Sequence, residues 1–419
     1  MSTATIPSVL RRDATVISLV GFAHGTSHFF HLMLPPLFPW FMSEYSLSFT
    51  QVGALMTVFF AVSGIGQALA GFLVDRWGAH RVLCLGVGLL SCSGLLVAAA
   101  PALWGLYLAA FVAGMGNCVF HPADYSLLNH RVSQARLGHA FSLHGLSGNV
   151  GWILAPLLMT ATATAFGWRA AGLAAASLGG MSLAAIWWKR SELAVEPTAE
   201  ASHETQRSKG GSVKLGDLFK LRLTWFAFSF FFFSTLGFGA LQNFAPSLLR
   251  DLYGLSLAGA TSGLTAYLVG SAAGLATGGF FAGGAKGQEK VLGLAFLCAS
   301  ALAFLLSFSI VPGWSVIGIM AMMGFGIGMA GPSRDMLVRK STAARLGTGA
   351  FGRMYGLVYS GLDAGLATAP LIFGMLMDAG RARYVFVGMS ISLVVAVIAA
   401  QAIASEAATG EIWGQTPNS

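Results

Sequence analysis

Residues 71–83 read GFLVDRWGAHRVL, a short charged stretch between two apolar runs at residues 47–74 and 81–100. Each run is long enough for the ~20 residues that an α-helix needs to cross a bilayer. Charged side chains are expected at the membrane surface, where water and headgroups solvate them. The stretch therefore predicts a charged turn between two membrane-spanning helices.

Individual residues in this stretch favour such a turn. Gly71 and Gly78 allow a tight turn and a close approach of helices. Asp75 can face the positive N-terminus of a neighbouring helix. Arg76 and Arg81 can reach carboxylates or the membrane surface. We therefore expect these five residues to act together at the cytoplasmic surface.

The composition of the 419-residue chain supports a membrane protein. Hydrophobic residues make up 55% of it and charged residues only 10%, whereas soluble proteins carry about 25% charged residues. The net charge is +8. The basic residues cluster between apolar runs, as membrane topology would place them, so no nucleic-acid partner is expected.

The apolar runs predict an all-α membrane protein with twelve spans in two six-helix repeats. The predicted spans are residues 14–42, 47–74, 81–100, 103–129, 139–165, 168–188, 222–249, 256–282, 290–311, 314–338, 352–377 and 384–404. A polar stretch separates the sixth span from the seventh. We therefore predict an N-terminal bundle at 1–188, a cytoplasmic linker at 189–221 and a C-terminal bundle at 222–419.

The distribution of Lys and Arg predicts the orientation. With both termini in the cytoplasm, only Arg169, Arg250, Arg381 and Arg383 fall in external loops, and Arg334 falls within a span. The other nineteen of the 24 basic residues face the cytoplasm. This asymmetry predicts a multi-pass protein of the cell inner membrane with cytoplasmic N- and C-termini.

The two halves repeat each other in sequence. The stretch that begins YSLSFTQVGAL at Tyr45 corresponds to YGLSLAGATSG at Tyr253, at an offset of 208 residues. Gly114 and Gly324 correspond at an offset of 210 residues. Parallel repeats of this kind are typical of secondary transporters whose site lies between the halves near the midplane.

The 71–83 stretch also resembles the Gly-x-Leu-x-Asp-Arg-x-Gly-Arg-Arg signature of the major facilitator superfamily. That resemblance implies twelve helices, alternating access and a cytoplasmic gate latched by Gly71, Asp75, Arg76, Gly78 and Arg81. The corresponding stretch of the second half has Gly283 at the position of Asp75, so the latch is expected in the first half only.

Two stretches of the first half narrow the resemblance. VFHPADYSLLNHRV and FSLHGLSGNVGWILAPLL resemble the fourth and fifth spans of the fosmidomycin-resistance type of facilitator exporter. The chain departs from that group at Ala123, where Glu is expected, and carries Asp124 one residue later. The resemblance implies export.

Polar residues within the spans are the candidate site residues, because ionisable groups in lipid cost several kcal/mol. Three histidines of the first span, His24, His28 and His31, share one helix face, which we expect to look into the cavity between the halves. We place His24 near the midplane and His121, Asp124 and His144 in a layer nearer the cytoplasm. The predicted substrate-binding residues are His24, His28, Asn117, Asn149, Arg334, Tyr355 and Tyr359. The predicted proton-coupling residues are Asp363, Asp124, Asp335, His121 and His144.

Structural roles are the alternatives for these residues. Asp124 could pair with Arg76 or Arg81 and hold the gate closed. Asp363 could be a hydrogen-bonded packing residue, and His24 and His28 could be satisfied by the backbone. His31 is expected to belong to the external mouth.

The sequence favours a transporter that exports a small organic anion in exchange for protons. Uptake of an organic anion with protons is the alternative, and a transition-metal transporter or a receptor without transport is less favoured. We expect no enzymatic activity, no metal site and no cofactor, because the proton gradient would drive the cycle. The expected partners are a small-molecule substrate, protons and the lipid bilayer, and the expected oligomeric state is a monomer.

Overall fold

A computed structural model describes residues 6–194, 220–282, 288–346 and 351–413. All regular structure in these ranges is helical. The chain divides into two compact units, Met1–Thr198 and Ala199–Ser419. The all-helical fold predicted from the sequence is therefore confirmed for the described ranges.

The helices of the N-terminal unit follow the predicted spans closely, with short helices added between them. They are α1 (Ile6–His31), α2 (Phe38–Tyr45), α3 (Phe49–Trp77), α4 (Ala79–Ala99), α5 (Leu103–Asn117), α6 (Phe120–Arg131), α7 (Leu137–Phe166), α8 (Trp168–Trp188) and α9 (Arg190–Leu193). Single 3₁₀ turns at Pro35–Leu37 and Gln134–Arg136 precede α2 and α7.

The described residues of the C-terminal unit form six long helices. They are α10 (Arg222–Tyr253), α11 (Leu257–Ala282), α12 (Gln288–Ser307), α13 (Val316–Leu346), α14 (Phe351–Asp378) and α15 (Arg383–Trp413). A 3₁₀ turn at Gly313–Ser315 precedes α13.

Among the described residues, ten helical stretches are long and apolar enough to cross a membrane. Of the twelve predicted spans, the first and the eighth are absent from these ten. Arg11, Arg12, Asp13 and three histidines lower the hydropathy of α1, and Gly, Ser and Thr lower that of α11. Both helices have 26 residues, enough to cross a bilayer by length. The count of twelve remains a prediction.

The two units repeat the same helix pairings. In the N-terminal unit α1 packs on α7, α3 on α5, and α4 on both α5 and α8. In the C-terminal unit α10 packs on α14, α11 on α13, and α12 on both α13 and α15. These are the same four pairs of spans, so the internal repeat predicted from the sequence offset is confirmed in the packing.

One pair of glycines shows how the repeat is built. A methyl group added at Gly114 of α5 would lie 2.6 Å from the carbonyl oxygen of Phe59 in α3. A methyl group added at Gly324 of α13 would clash with the carbonyl oxygen of Tyr267 in α11. Phe59 and Tyr267 are themselves 208 positions apart, so the same close backbone approach occurs in both units.

The first predicted span differs from the structure at both ends. The prediction placed one span at 14–42, whereas α1 begins at Ile6, ends at His31 and is followed by a 3₁₀ turn and α2. The interruption falls just before Pro35 and Pro36, which cannot donate the hydrogen bonds of a continuing helix.

The fourth predicted span is also interrupted. The prediction placed one span at 103–129, but α5 ends at Asn117 and α6 begins at Phe120. The ring of Pro122 would meet the carbonyl of Cys118 in a continuous helix, and Pro122 has no N–H to donate to it. The helix therefore breaks at Cys118 and Val119.

The beginning of the predicted linker at 189–221 packs on the N-terminal unit. Arg131 donates through Nε to the carbonyl of Glu192 at 2.8 Å and through Nη2 to that of Ser191 at 3.1 Å. Leu193 is fully buried. Residues 195–219 lie outside the described ranges, so most of the linker prediction is untested.

Candidate functional site

A buried carboxylate lies between two imidazoles in the N-terminal unit. The Nδ1 of His24 lies 3.1 Å from Oδ2 of Asp124, and the Nε2 of His144 lies 3.0 Å from the same oxygen. Asp124 is completely buried, and His24 and His144 are 3% and 5% exposed. Helices α1, α6 and α7 thus each contribute one side chain to a single contact.

Two further histidines complete what we call the histidine cluster, defined as His24, His28, His121, Asp124 and His144. The rings of His24 and His144 stack with centroids 3.5 Å apart. The His24 ring lies 4.4 Å from that of His28 and 5.6 Å from that of His121. Two imidazoles therefore contact the carboxylate, and the other two lie against the ring of His24.

The neighbouring side chains hold the cluster in place. His121 donates through Nδ1 to Oε1 of Gln67 at 2.8 Å. A methyl group added at Gly148 would lie 2.7 Å from Nδ1 of His28. Because Gly148 has no side chain, the ring of His28 can lie directly against α7.

A second network is centred on the predicted substrate-binding residue Asn117. Its Oδ1 accepts from Ser27 at 2.7 Å and from Nε2 of His31 at 2.9 Å, and its Nδ2 donates to Ser63 at 2.8 Å. Trp152 donates to Nδ1 of His31 at 3.4 Å. His31 therefore adopts the neutral tautomer that carries its proton on Nε2.

The structure corrects two expectations about this region. His24 does not lie in a separate layer from His121, Asp124 and His144, because the packing of α1 on α6 and α7 brings them into contact. The partners of Asp124 are histidines, not Arg76 or Arg81. His31 is 9% exposed and bonded to Asn117, and its expected place at the external mouth stays a prediction.

Asn149, predicted to bind substrate, does not join either network. Its Nδ2 donates to the carbonyl of Gly145 within α7 at 3.0 Å, and the side chain is half-buried.

The predicted gate residues lie where α3 meets α4: Gly71, Asp75 and Arg76 near the end of α3, Gly78 between the helices, and Arg81 at the start of α4. Gly78 ends α3 with φ of +82°, a conformation that favours glycine. Asp75, Arg76 and Arg81 are exposed, and they form no ion pair with the side chains that the structure describes. A methyl group added at Gly71 would contact nothing within 4 Å. The expected close helix approach at Gly71 is therefore not found among the described residues.

Five predicted site residues lie in the C-terminal unit, and the structure describes the side chains of two of them. Asp363 is half-buried near the middle of α14. It has no ion pair or hydrogen bond within the described portion of the chain. The guanidinium of Arg334, in α13, lies 5.1 Å from the ring centroid of Phe231. The side chains of Asp335, Tyr355 and Tyr359 lie outside the described residues.

Sequence reasoning missed several members of the two networks. Ser27 was detectable, because it lies four residues before His31 on the histidine face of α1. Ser63, Gln67 and Trp152 have no distinguishing pattern along the chain. They are recognised only when α3 and α7 are packed against α1 and α5.

A cavity of about 420 Å³ lies along α1, α7 and α8. Its lining includes Phe22, Phe29 and Leu154 but no histidine. The histidines and Asp124 are therefore in the packed interior and do not line this cavity.

The sequence was also compared with known proteins. The sequence model of the Major Facilitator Superfamily matches residues 18–352. The fosmidomycin resistance protein of Escherichia coli K12 is 27% identical over 157 residues, which cover 38% of each chain. The membrane sensor protein UhpC of Salmonella typhimurium is 26% identical over 166 residues, or 38% of this chain and 37% of that protein. The probable L-galactonate transporter of Escherichia coli K12 is 25% identical over 360 residues, or 80% of this chain and 76% of that protein.

The share of each chain that a match covers decides what can be concluded from it. The chain spans between 28% and 38% of the length of the first curated relatives it matches, so their activities are not transferred to it. The superfamily match covers most of the chain and includes both units. The chain belongs to the Major Facilitator Superfamily.

Proposed function

We propose that the protein is a proton-coupled transporter that exports a small organic anion in exchange for protons. Members of this superfamily are transporters, and the duplicated helix pairings suit a secondary transporter. The observation that carries the proposal is the half-buried carboxylate of Asp363 near the middle of α14, which has no ion pair among the described residues.

Asp363 suits a coupling role because of its surroundings. A charged side chain inside a membrane helix is costly unless it is paired or performs a function. Asp363 is half-buried and has no ion pair among the described residues. A carboxylate in such a place can bind a proton from one side of the membrane and release it to the other as its exposure changes.

The anionic substrate is supported by Arg334. Its guanidinium is half-buried above the ring of Phe231, and a planar guanidinium suits carboxylate and phosphonate groups. Two relatives carry the names of fosmidomycin, a phosphonate, and of L-galactonate, a carboxylate. The first of these names also supports export.

Flux into proteoliposomes tests the proposal directly. We would reconstitute the full-length protein, impose a pH gradient, and follow radiolabelled fosmidomycin and L-galactonate as first probes, with a wider panel of organic acids afterwards. The expected result is accumulation in the more acidic compartment, as exchange for protons requires, and its loss when a protonophore is added.

The alternatives give different results in the same experiment. Accumulation in the more alkaline compartment would indicate uptake with protons in place of exchange. Binding without flux across the panel would indicate a receptor, in keeping with the similarity to a membrane sensor protein. Either result would overturn the proposed direction or the proposed activity.

A further inference from the structure

We propose that the histidine cluster of the N-terminal unit binds a divalent transition-metal ion, with His24, Asp124 and His144 as its ligands. The inference stands apart from the coupling proposed above, because it rests on the N-terminal unit alone.

The geometry of the three side chains suits a metal ion. Zinc lies about 2.0–2.2 Å from imidazole nitrogen and carboxylate oxygen, so two ligand atoms of one tetrahedral site are about 3.4 Å apart. The nitrogens of His24 and His144 lie 3.1 Å and 3.0 Å from Oδ2 of Asp124, and all three ligand atoms lie within 4.8 Å of one another. Small side-chain rotations would admit an ion.

The burial of the site calls for a cation. Asp124 is completely buried, and its Oδ1 has no hydrogen-bond partner. An unpaired polar atom in the interior is destabilising. Imidazoles packed against each other repel one another when several carry charge, and the neutral ring is the form that binds metals. A divalent ion would satisfy the carboxylate without protonating the rings.

Neighbouring groups provide a second layer of support. His24, His28 and His121 form a second group whose ligand atoms lie within 4.8 Å of one another, and this group shares His24 with the first. The Nδ1 of His121 is held by Gln67, which leaves Nε2 with its lone pair. Hydrogen bonds of this type fix the orientation of ligand histidines in metal sites.

The ligand types select the class of ion. Imidazole and carboxylate without thiolate favour Zn²⁺, Co²⁺ or Ni²⁺ over Cu⁺. From the sequence alone no metal site is expected, because neither a cysteine nor a pattern of supporting carboxylates accompanies the histidines. The packing of α6 against α1 supplies a carboxylate.

Cobalt binding provides the test. The full-length protein would be purified in detergent with an affinity tag that contains no histidine, stripped with a chelator, and titrated with Co²⁺, whose visible absorption reports its coordination. We expect one Co²⁺ per chain with the strong visible band of low coordination, displaced by Zn²⁺. The Asp124→Asn and His144→Gln variants should each lose at least about tenfold in affinity.

A matched control separates the cluster from surface histidines. His139 is exposed and lies in α7, five residues before His144, so His139→Gln should bind Co²⁺ like the unmodified protein. Thermal unfolding of each variant without metal would show whether it is folded. Zn²⁺ should raise the unfolding temperature of the control but not that of the ligand variants.

Two results would overturn the proposal. One is that the unmodified protein binds none of Co²⁺, Zn²⁺ and Ni²⁺ with this stoichiometry. The other is that folded Asp124→Asn and His144→Gln variants retain the affinity and spectrum of the control. The cluster would then be a hydrogen-bonded network only.

Discussion

At the scale of single residues, the structure separates those that hold the fold from those that are free to act. Asp124, Asn117 and His144 are buried and bonded to several partners. Asp75 is exposed and has no ion pair with any described residue. Substitutions at the two kinds of position should therefore differ in their effects on stability and on transport.

Asp75→Asn should leave the protein folded and reduce transport. We expect its unfolding temperature to remain within about 1 °C of the original, because exposed positions without partners change stability by at most ~0.5 kcal/mol. Transport should fall at least about tenfold if the charge stabilises one closed state of the gate by ~1.4 kcal/mol or more. Flux in proteoliposomes and thermal unfolding would be measured on the same sample. Normal flux would show that Asp75 is not part of a latch.

Arg334→Lys should weaken the binding of an organic anion. Lysine keeps the positive charge but presents it as a point, without the planar fork that pairs with carboxylate or phosphonate. We expect a loss of about threefold to tenfold in affinity, equivalent to ~0.7–1.4 kcal/mol. Substrate-dependent thermal stabilisation would measure it, with Arg250→Lys as the control at an exposed position. Equal affinity in the two variants would remove Arg334 from the substrate site.

At the scale of helices, two kinds of contact stabilise the folded N-terminal unit. One is the close backbone approach of neighbouring helices, and the other is hydrogen bonding between the end of one helix and the turn before another. Gly114→Ala should lower the free energy of unfolding by about 1–3 kcal/mol, because the added methyl would lie 2.6 Å from a carbonyl oxygen and 3.0 Å from Cβ of Val62. Gly145→Ala, in α7, would contact nothing within 4 Å. That control should be as stable as the original protein or slightly more so. Equal unfolding temperatures of the two variants would contradict the tight contact of α5 with α3.

The start of α1 is tied to the turn before α7. Arg136 donates to Oδ2 of Asp13 at 2.8 Å, and Ser133 donates to the same oxygen through its hydroxyl and its backbone N–H. Burial acts to raise the pKa of Asp13, but the hydrogen bonds from Ser133 and Arg136 together hold the pKa below its ordinary value. The ionised form is therefore the one that the folded state favours.

The pH dependence of unfolding should reveal this tie. Asp13→Asn should lower the free energy of unfolding by about 1–2 kcal/mol at neutral pH. Because the folded pKa is lowered, this contribution is present above the unfolded pKa of ~3.9 and is lost as the pH falls through the folded value. The difference between original and variant should be constant from about pH 8 to 6 and shrink below about pH 4. A difference that grows on acidification would contradict the account.

At the scale of the whole molecule, the sequence predicted what periodicity and repetition can encode. The 208-residue offset predicted that Phe59 and Tyr267 occupy equivalent places, and the packing of Gly114 and Gly324 bears this out. Apolar runs predicted the long helices because burial in lipid depends on length and composition. The breaks before Pro35 and Pro122 were missed because an apolar run continues through them.

The arrangement of the candidate site depended on packing that has no signal along the chain. The three histidines on one face of α1 were recognisable from their spacing. The position of Asp124 between His24 and His144 was not recognisable. Asp124 is 100 positions from His24 and 20 positions from His144, and these residues meet only because α1, α6 and α7 pack together. Counting residues along each helix places His24 near the midplane and Asp124 and His144 nearer the cytoplasm. In the structure these three side chains are in contact.

The most direct test of proton coupling is the effect of Asp363→Asn on transport in proteoliposomes. Two modes would be measured in parallel, accumulation driven by a pH gradient and exchange of labelled for unlabelled substrate at equal pH. Asp378→Asn, at the exposed end of the same helix, is the matched control. We predict that Asp363→Asn abolishes gradient-driven accumulation but retains exchange, while Asp378→Asn retains both. Gradient-driven accumulation at the original rate in Asp363→Asn would contradict the account.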